Sequence, residues 1–314
     1  MNKFARIIGT GSYLPPKIVT NDDLSKTIDT SHEWIVSRTG IEQRRIVTDE
    51  STCDLALIAS NNALKMAGID AKDLDLIILA TTTPDKIFPA TATILQNALG
   101  ATCPAFDLQS VCAGFIFALT TAEQYIKTGA ANKILVVGSE TLSRIVDWND
   151  RSTAVLFGDG AGAVVLSGSK ETGILHSKLF SDGSYLSSLQ VSNKRINEVG
   201  FIQMSGNEVF KIAVNHLADL AQETLKACDI NSKELDWMVP HQANIRIISA
   251  VAKRINIPMD KVIVTLAQHG NTSAASIPLA LDAAVRDGRV QKGQNLLLEG
   301  IGGGFSWGSV LLKF

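Results

Sequence analysis

A chain that repeats itself at about half its own length is confined to folds with two matching halves. Residues Ala63–Leu79 (ALKMAGIDAKDLDLIIL) align without gaps on Thr224–Pro240 (TLKACDINSKELDWMVP), 161 residues later. The pairs Leu64/Leu225, Lys65/Lys226, Ile69/Ile230, Lys72/Lys233, Leu74/Leu235 and Asp75/Asp236 are identical. Each copy reads as helix, polar turn, then buried strand. GSYL occurs at Gly11–Leu14 and again at Gly183–Leu186, and Ala122–Ala130 pairs with Leu281–Arg289 at an offset of 159. The period is far too long for a solenoid. Three matches in one order point instead to two related halves, 1–170 and 171–314, packed as one unit.

Leu76–Thr82 and Ile134–Gly138 are continuous apolar runs of the kind found in central strands covered on both faces. Between them, Ala90–Leu99 and Ala113–Lys127 have helical spacing, so the fold class is α/β with covered sheets. With 46% apolar residues the chain has ample material for a core, and a net charge of −2 (29 basic against 31 acidic residues) excludes a disordered polyion. The same balance provides no basic surplus for a nucleic acid or an anionic membrane surface. No apolar run approaches the roughly 20 residues that span a bilayer, and MNKFARIIGTGSYLPP has no apolar core of a secretory signal. The four cysteines (Cys53, Cys103, Cys112, Cys228) contain no C-x-x-C pair. A soluble, reduced, cytoplasmic protein without a disulfide scaffold or a metal site is expected.

Three residues stand out as chemistry-bearing. Cys112, in DLQSVCAGF, is placed at the N-terminus of the helix that follows, where free N–H groups and the macrodipole favour a thiolate. Cys53, Cys103 and Cys228 open no such helix and read as small buried hydrophobes. His241, in VPHQANIRII, lies between a strand and a helix and suits acid/base or hydrogen-bonding work. His32, His176 and His216 carry no accompanying pattern, and His269 is compatible with shaping its turn. Asn271, taken alone, reads as a helix N-cap. The third repeat match sets it opposite Cys112, and His241 falls just past the strand equivalent to Leu76–Leu79. The three side chains are therefore expected to converge at strand ends, where open α/β sheets carry their sites.

The glycine clusters GTGSYLPP (Gly9–Pro16) and FGDGAGAVVL (Phe157–Leu166) lack the strand–G-x-G-x-x-G–helix order of a dinucleotide loop, and there is no Walker pattern. In EGIGGGFSWGS, Gly302–Gly304 form a turn before the last strand, where a backbone N–H can approach a ligand closely.

Taken together, GTGSYLP, SHEWIVSRTGI, VCAGF, FGDGAGA, VPHQANIRII, HGNTSAASIPLAL and GGGFSWGS resemble β-ketoacyl-acyl-carrier-protein synthase III, the initiating condensing enzyme of type II fatty-acid synthesis in the thiolase-like superfamily. The resemblance runs from about residue 5 to 314. It implies a duplicated five-layer αβαβα homodimer with Cys112 as acyl-carrying nucleophile and His241 and Asn271 completing a Cys-His-Asn triad. It also implies that the N–H groups of Cys112 and Gly303 hold an oxyanion, and that Trp34, Arg38, Arg151 and Asn207 bind coenzyme A. Phe88 is implied to line the partner's acyl pocket. Ile301 stands where the family often has an aromatic residue, which bears on acyl-chain preference. The implied substrates are acetyl-CoA or another short acyl-CoA and malonyl-acyl-carrier protein, with no metal or resident cofactor.

Two other readings stay open at this level. The order Cys112, His241, Asn271 is also that of a papain-like hydrolase, although C-G-S-C-W is absent. A condensing or starter-loading acyltransferase of secondary metabolism is a closer rival inside the same superfamily. A non-enzymatic chain-length partner is expected to lack the nucleophile, and Cys112 is present. For carrier docking, the Asn244–Ile255 helix turns Ile245, Ile248, Val251, Ala252 and Ile255 toward the core. Arg246 and Lys253 share its opposite side with Arg254 adjacent and no acid on the helix to pair with them, and Lys211 is a further candidate for this basic patch.

Overall fold

A computed structural model describes residues 4–195 and 198–314; Met1–Lys3, the start of the stretch searched for a signal segment, lie outside them. The polar turn of each repeat is a single 3-10 turn, Ala71–Asp73 and Ser232–Glu234. Ahead of it, Asp70 or Asn231 accepts the N–H two residues on, and Asp73 or Glu234 reaches back to the N–H of Asp70 or Asn231. This reciprocal cap is written in four consecutive residues. Behind it come the equivalent buried strands Leu76–Ala80 and Trp237–Pro240.

Each half builds one sheet in the same order. In the first, Phe4–Tyr13, Gly160–Ser169, Lys133–Glu140, Leu76–Ala80 and Ala105–Leu108 lie side by side, the first two pairings antiparallel and the last two parallel. In the second, Ile174–Ser181, Ser306–Lys313, Asn295–Gly302 and Trp237–Pro240 repeat that order and sense, and a parallel bridge from Met238 to Val262 marks the fifth position.

The helices Gly114–Thr128 and Ser276–Arg286 fill the space between the sheets in one apolar cluster that draws on both. The helices Thr52–Ala67 and Thr91–Leu99 cover the outer face of the first sheet, while Gly206–Ala227 and Ile245–Arg254 cover that of the second. The layers run αβαβα, as expected. The glycines of GTGSYLPP permit close packing rather than a phosphate loop. A Cβ at Gly9 or Gly11 would stand within 2.4 Å of a carbonyl oxygen of the Thr52–Ala67 helix.

The structure corrects one equivalence. The central helices begin after matching 3-10 turns, Val111–Ala113 and Ser273–Ala275, whose first residues share positive φ values of 47° and 48°. This sets Cys112 opposite Ala274, not Asn271. The C-terminal glycines Gly129 and Gly288 do match at the offset of 159. The second helix is shorter, and running that offset back through it slips the register by three residues.

Candidate active site

Cys112 sits in the Val111–Ala113 turn at the carboxyl edge of the first sheet, ahead of the Gly114–Thr128 helix. Val111 at φ 47° is a β-branched residue in a region that disfavours it, a local strain held by the surrounding packing. Gly300 and Gly302 of the second half seat this turn. A Cβ at Gly302 would lie 2.6 Å from Cys112 N, and one at Gly300 would lie 3.3 Å from Cys112 O. The thiol is buried, and burial pushes its pKa up to about 12 although the Ser273 hydroxyl acts the other way. Burial thus works against the thiolate expected at a helix N-terminus. No backbone acceptor takes the N–H of Cys112 or of Gly303 among the described residues.

His241 follows its strand, its own N–H donating to Glu299 O at 2.8 Å. Burial drives its pKa down to about 3, so the ring is neutral at ordinary pH. Its Nδ1 lies 2.6 Å from Ser276 Oγ, which also accepts the Gln242 N–H at 3.3 Å. Assigning the serine hydrogen to Nδ1 leaves the imidazole hydrogen on Nε2, facing the cavity's chemistry as a donor. Asn271 is not a helix N-cap. Its Oδ1 accepts the Ser273 N–H at 2.9 Å, a turn of its own that leaves the amide nitrogen as the free donor end.

Two cavities meet at Cys112. The first, about 470 Å³, has Cys112, His241, Asn271 and Ile301 buried at its base and the exposed Arg38, Arg151, Asn207 and Arg246 toward solvent. Two cations stand over the Trp34 ring, the Arg38 guanidinium 4.4 Å and that of Arg151 4.7 Å from its centre. The second, about 350 Å³, is walled by Val111, Leu142, Ile145, Val191 and Ile202, with Thr82, Ser273 and Gly303. Cys112, Phe157 and Leu189 border both. Ile301, expected at the acyl pocket, faces the first cavity. Phe88 lines neither within its own chain and stands 82% exposed beside Ile87 at 98%.

The basic helix runs Ile245–Arg254 with Asn244 as its N-cap, and its buried residues are Ile247, Ile248, Val251 and Ala252. Ile247 joins the expected stripe, and Ile245, though only half-buried, packs against that core and against Gly40. Arg254 is not a free cation. Asp219 and Asn215 of the neighbouring helix take its guanidinium at 2.9 and 2.7 Å. Arg246 lies over the Phe210 ring and lines the first cavity, so it belongs to the channel mouth as much as to an outer face. Lys253 and Lys211 are exposed.

Known proteins share both the sequence and this geometry. The family model for 3-oxoacyl-[acyl-carrier-protein (ACP)] synthase III matches residues 106–183, and that for its C terminal matches 225–314. A β-ketoacyl-[acyl-carrier-protein] synthase III of Vesicomyosocius okutanii subsp. Calyptogena okutanii (strain HA) is 80% identical over 314 residues, the full length of both chains. The chain belongs to the β-ketoacyl-[acyl-carrier-protein] synthase III family. It is thus an enzyme, a condensing acyltransferase. The crystal structure of the family member from Aquifex aeolicus VF5 is 47% identical with a TM-score of 0.96, covering 99% of this chain and 100% of that one. The priming β-ketosynthase from the R1128 polyketide biosynthetic pathway is 37% identical with a TM-score of 0.95, covering 99% and 97%. The duplicated thiolase-like architecture implied by the motifs is borne out.

Within this family frame, several buried residues around Cys112 escaped the motif reading. Gly302, read from the sequence only as part of the Gly302–Gly304 turn, is the glycine that touches the nucleophile's turn. Glu140 is buried and accepts from the hydroxyls of Thr81, Thr82 and Thr83 and from the Thr82 N–H. Glu299 is buried with neither carboxyl oxygen hydrogen-bonded, and burial pushes its pKa up to about 8. A carboxylate ending or interrupting an apolar strand, as in VVGSE and LLLEG, was the available signal. No cluster of His, Cys, Asp and Glu among the described residues is arranged to hold a metal ion, and no helix among them is long and apolar enough to cross a membrane.

Proposed function

We propose that the protein condenses a short acyl-CoA, acetyl-CoA in the first instance, with malonyl-acyl-carrier protein, releasing carbon dioxide and giving acetoacetyl-acyl-carrier protein, the initiating step of fatty-acid synthesis. The observation that carries this reading is the convergence of Cys112, His241 and Asn271 at the base of one cavity whose mouth holds Trp34, Arg38 and Arg151. The Cys112 sulfur attacks the acyl thioester, and coenzyme A leaves as its thiolate along the channel. Arg38, Arg151 and Arg246 suit the phosphates of the nucleotide, and Asn207 suits the pantetheine arm. When malonyl-carrier protein follows, its thioester oxygen gains charge as the carboxylate departs. His241 Nε2–H and the Asn271 amide are two neutral donors for that enolate. The carbanion then attacks acyl-Cys112, whose oxyanion falls to the N–H groups of Cys112 and Gly303. Coenzyme A thioester is a substrate here, and the scheme asks for no metal or resident cofactor.

The test is Cys112→Ala. It should abolish acetyl labelling by acetyl-CoA while leaving decarboxylation of the malonyl thioester detectable, because the enolate donors are separate from the nucleophile. Acetoacetyl product at the wild-type rate from Cys112→Ala would refute the scheme. Release of free acid without malonyl-carrier protein would indicate a hydrolase instead.

A homodimer belongs to the same reading. Ile87 and Phe88 form an exposed apolar pair on the loop that begins beside Thr82 in the second cavity's wall, and Phe88 is suited to close that cavity in a partner. Light scattering of Phe88→Asp against the wild type tests it. A cytoplasmic location accompanies a nucleophilic thiol among four unpaired cysteines. Lys253 and Lys211 serve the acidic carrier protein. Comparing acetyl-CoA with longer and branched acyl-CoA substrates separates primary metabolism from polyketide priming.

A further inference from the structure

We propose that Ser273 and Glu140 form a proton relay behind Cys112, so that Glu140 holds the thiol proton for as long as Cys112 carries an acyl group. The relay deepens the proposed function and rests on Cys112 being the nucleophile.

The placement comes from the duplication. The Lys133–Glu140 strand presses on the Ser273–Ala275 turn, since a Cβ at Gly138 would lie 2.3 Å from Ala274 O. Glu140 follows two residues later on the same face of the strand. It therefore stands toward Ser273 and Ala274 as Gly302 stands toward Val111 and Cys112 in the other half. At position 302 a side chain would strike Cys112 N; at 140 there is room, and a carboxyl occupies it. Ser273 is held at φ 48° with a buried hydroxyl that has no hydrogen-bond partner, and it walls the second cavity beside Cys112. That hydroxyl is nonetheless near enough to both groups to lower the pKa of each.

The electrostatics make a relay the economical route. Burial raises the pKa of Cys112 and of Glu140, and negative charge on Glu140 raises that of Cys112 further. The groups bonded to Glu140 are the threonines 81 to 83 at the end of the neighbouring strand. None is a cation. Removing the thiol proton to solvent would leave two buried anions that repel each other. His241, buried to a pKa of about 3, is a weak acceptor. Passing the proton through Ser273 moves one negative charge from Glu140 to sulfur and adds none.

The cycle balances. The S–H bond of Cys112 breaks as its proton bonds to Ser273 Oγ, and the serine O–H proton bonds to the Glu140 carboxylate. The thiolate then displaces coenzyme A thiolate, which leaves by the channel and takes a proton from solvent. In condensation the malonyl carboxylate departs as carbon dioxide, its electron pair forms the new carbon–carbon bond, and the Cys112–acyl bond breaks to give the thiolate. Glu140 returns the proton through Ser273. During the oxyanion stage Glu140 is neutral and does not oppose the developing charge.

The experiment follows single-turnover formation of acetyl-Cys112 from acetyl-CoA by intact mass between pH 6 and 9, for the wild type, Glu140→Gln, Ser273→Ala and Glu140→Asp. Glu140→Gln and Ser273→Ala should each slow acylation at pH 7 by about 100-fold, with the acetyl-CoA concentration dependence unchanged and a rate rising about tenfold per pH unit as hydroxide takes over. Glu140→Asp should recover part of the loss. Ser273→Ala leaves the threonine bonds of Glu140 intact, so it decides the matter if Glu140→Gln does not fold. Acylation as fast as wild type or faster in the folded variants overturns the relay, since Glu140 would then be only a charge opposing the thiolate. So does a loss with an unaltered pH slope, which would mark a structural role. Peptide mapping of the acetylated wild type stands apart: a label on a residue other than Cys112 refutes the nucleophile itself.

Discussion

Gly302→Ala probes how tightly the nucleophile's turn is seated. The new methyl carbon would stand 2.6 Å from Cys112 N and 3.0 Å from both Ser110 O and Val111 Cβ. All three atoms belong to one strained turn and two are backbone, so no side-chain rotation relieves the clash. Opening the shortest contact to the 3.0 Å floor of real Cβ contacts displaces Cys112 N by about 0.4 Å, and reaching ordinary contact takes about 0.8 Å. That shift falls on the attacking sulfur and on the N–H proposed to hold the oxyanion together. A misplacement near 1 Å costs on the order of 100-fold in rate, so acetyl-Cys112 formation should fall by about 10- to 100-fold, in kcat more than in KM. Overpacking should also lower stability by about 1–3 kcal/mol. Gly183→Ala is the control, because a Cβ there meets nothing within 4 Å. Denaturant unfolding gives the stability change and timed intact-mass acetylation gives the rate. A folded Gly302→Ala protein that acetylates at the wild-type rate would show that the turn yields freely and that its geometry is not what fixes the sulfur.

Three further outcomes are expected. Asn271→Asp keeps the acceptor for the Ser273 N–H but removes the amide donor, so acetylation should survive while condensation falls by about 100- to 1,000-fold; equal loss of both half-reactions would make the turn, not the donor, the function of Asn271. Lys253→Glu should raise the KM for malonyl-carrier protein by about 3- to 10-fold at low salt and by less at high salt, with acetyl-CoA kinetics unchanged. Arg246→Glu should impair both substrates because it lines the channel. Glu299 is held neutral in the fold up to about pH 8 but ionises near 4.5 once unfolded, so its contribution is complete below 4.5 and is lost as pH rises to 8. Glu299→Gln, which cannot titrate, should accordingly gain stability relative to wild type between pH 5 and pH 8, by up to a few kcal/mol; urea midpoints at the two pH values that shift in parallel would rule this out.

What the sequence made legible was what nearby residues write. The Asp70/Asp73 and Asn231/Glu234 caps and the strands behind them repeat because a 3-10 turn and its cap need only four adjacent positions. The placement of His241 past its strand came from that cassette and stands. The reading slipped where a length change intervened. The second central helix ends earlier relative to its start, so the glycines at its end match while the turn at its beginning is three residues out of step. Asn271 still reaches the same cavity as Cys112, but through its own turn rather than by symmetry.

Other features depended on contacts between distant segments. Asp219 neutralises Arg254 from another helix, and no pattern within Asn244–Ile255 announces it. The burial that opposes a Cys112 thiolate was out of sight for the same reason. A helix N-terminus is visible in sequence, whereas desolvation is supplied by residues such as Gly302 that arrive from the other half of the chain. Duplication sharpens this contrast. It gave the two halves one framework and then let equivalent positions diverge, Cys112 against Ala274, Val111 against Ser273 and Gly302 against Glu140. The first half supplies the sulfur and, at the end of its Lys133–Glu140 strand, the carboxyl, while the second supplies the hydroxyl between them. A site assembled across a pseudo-twofold axis shows its chemistry only when both halves are superposed, and the alignment that does so must follow the turns rather than the helices between them.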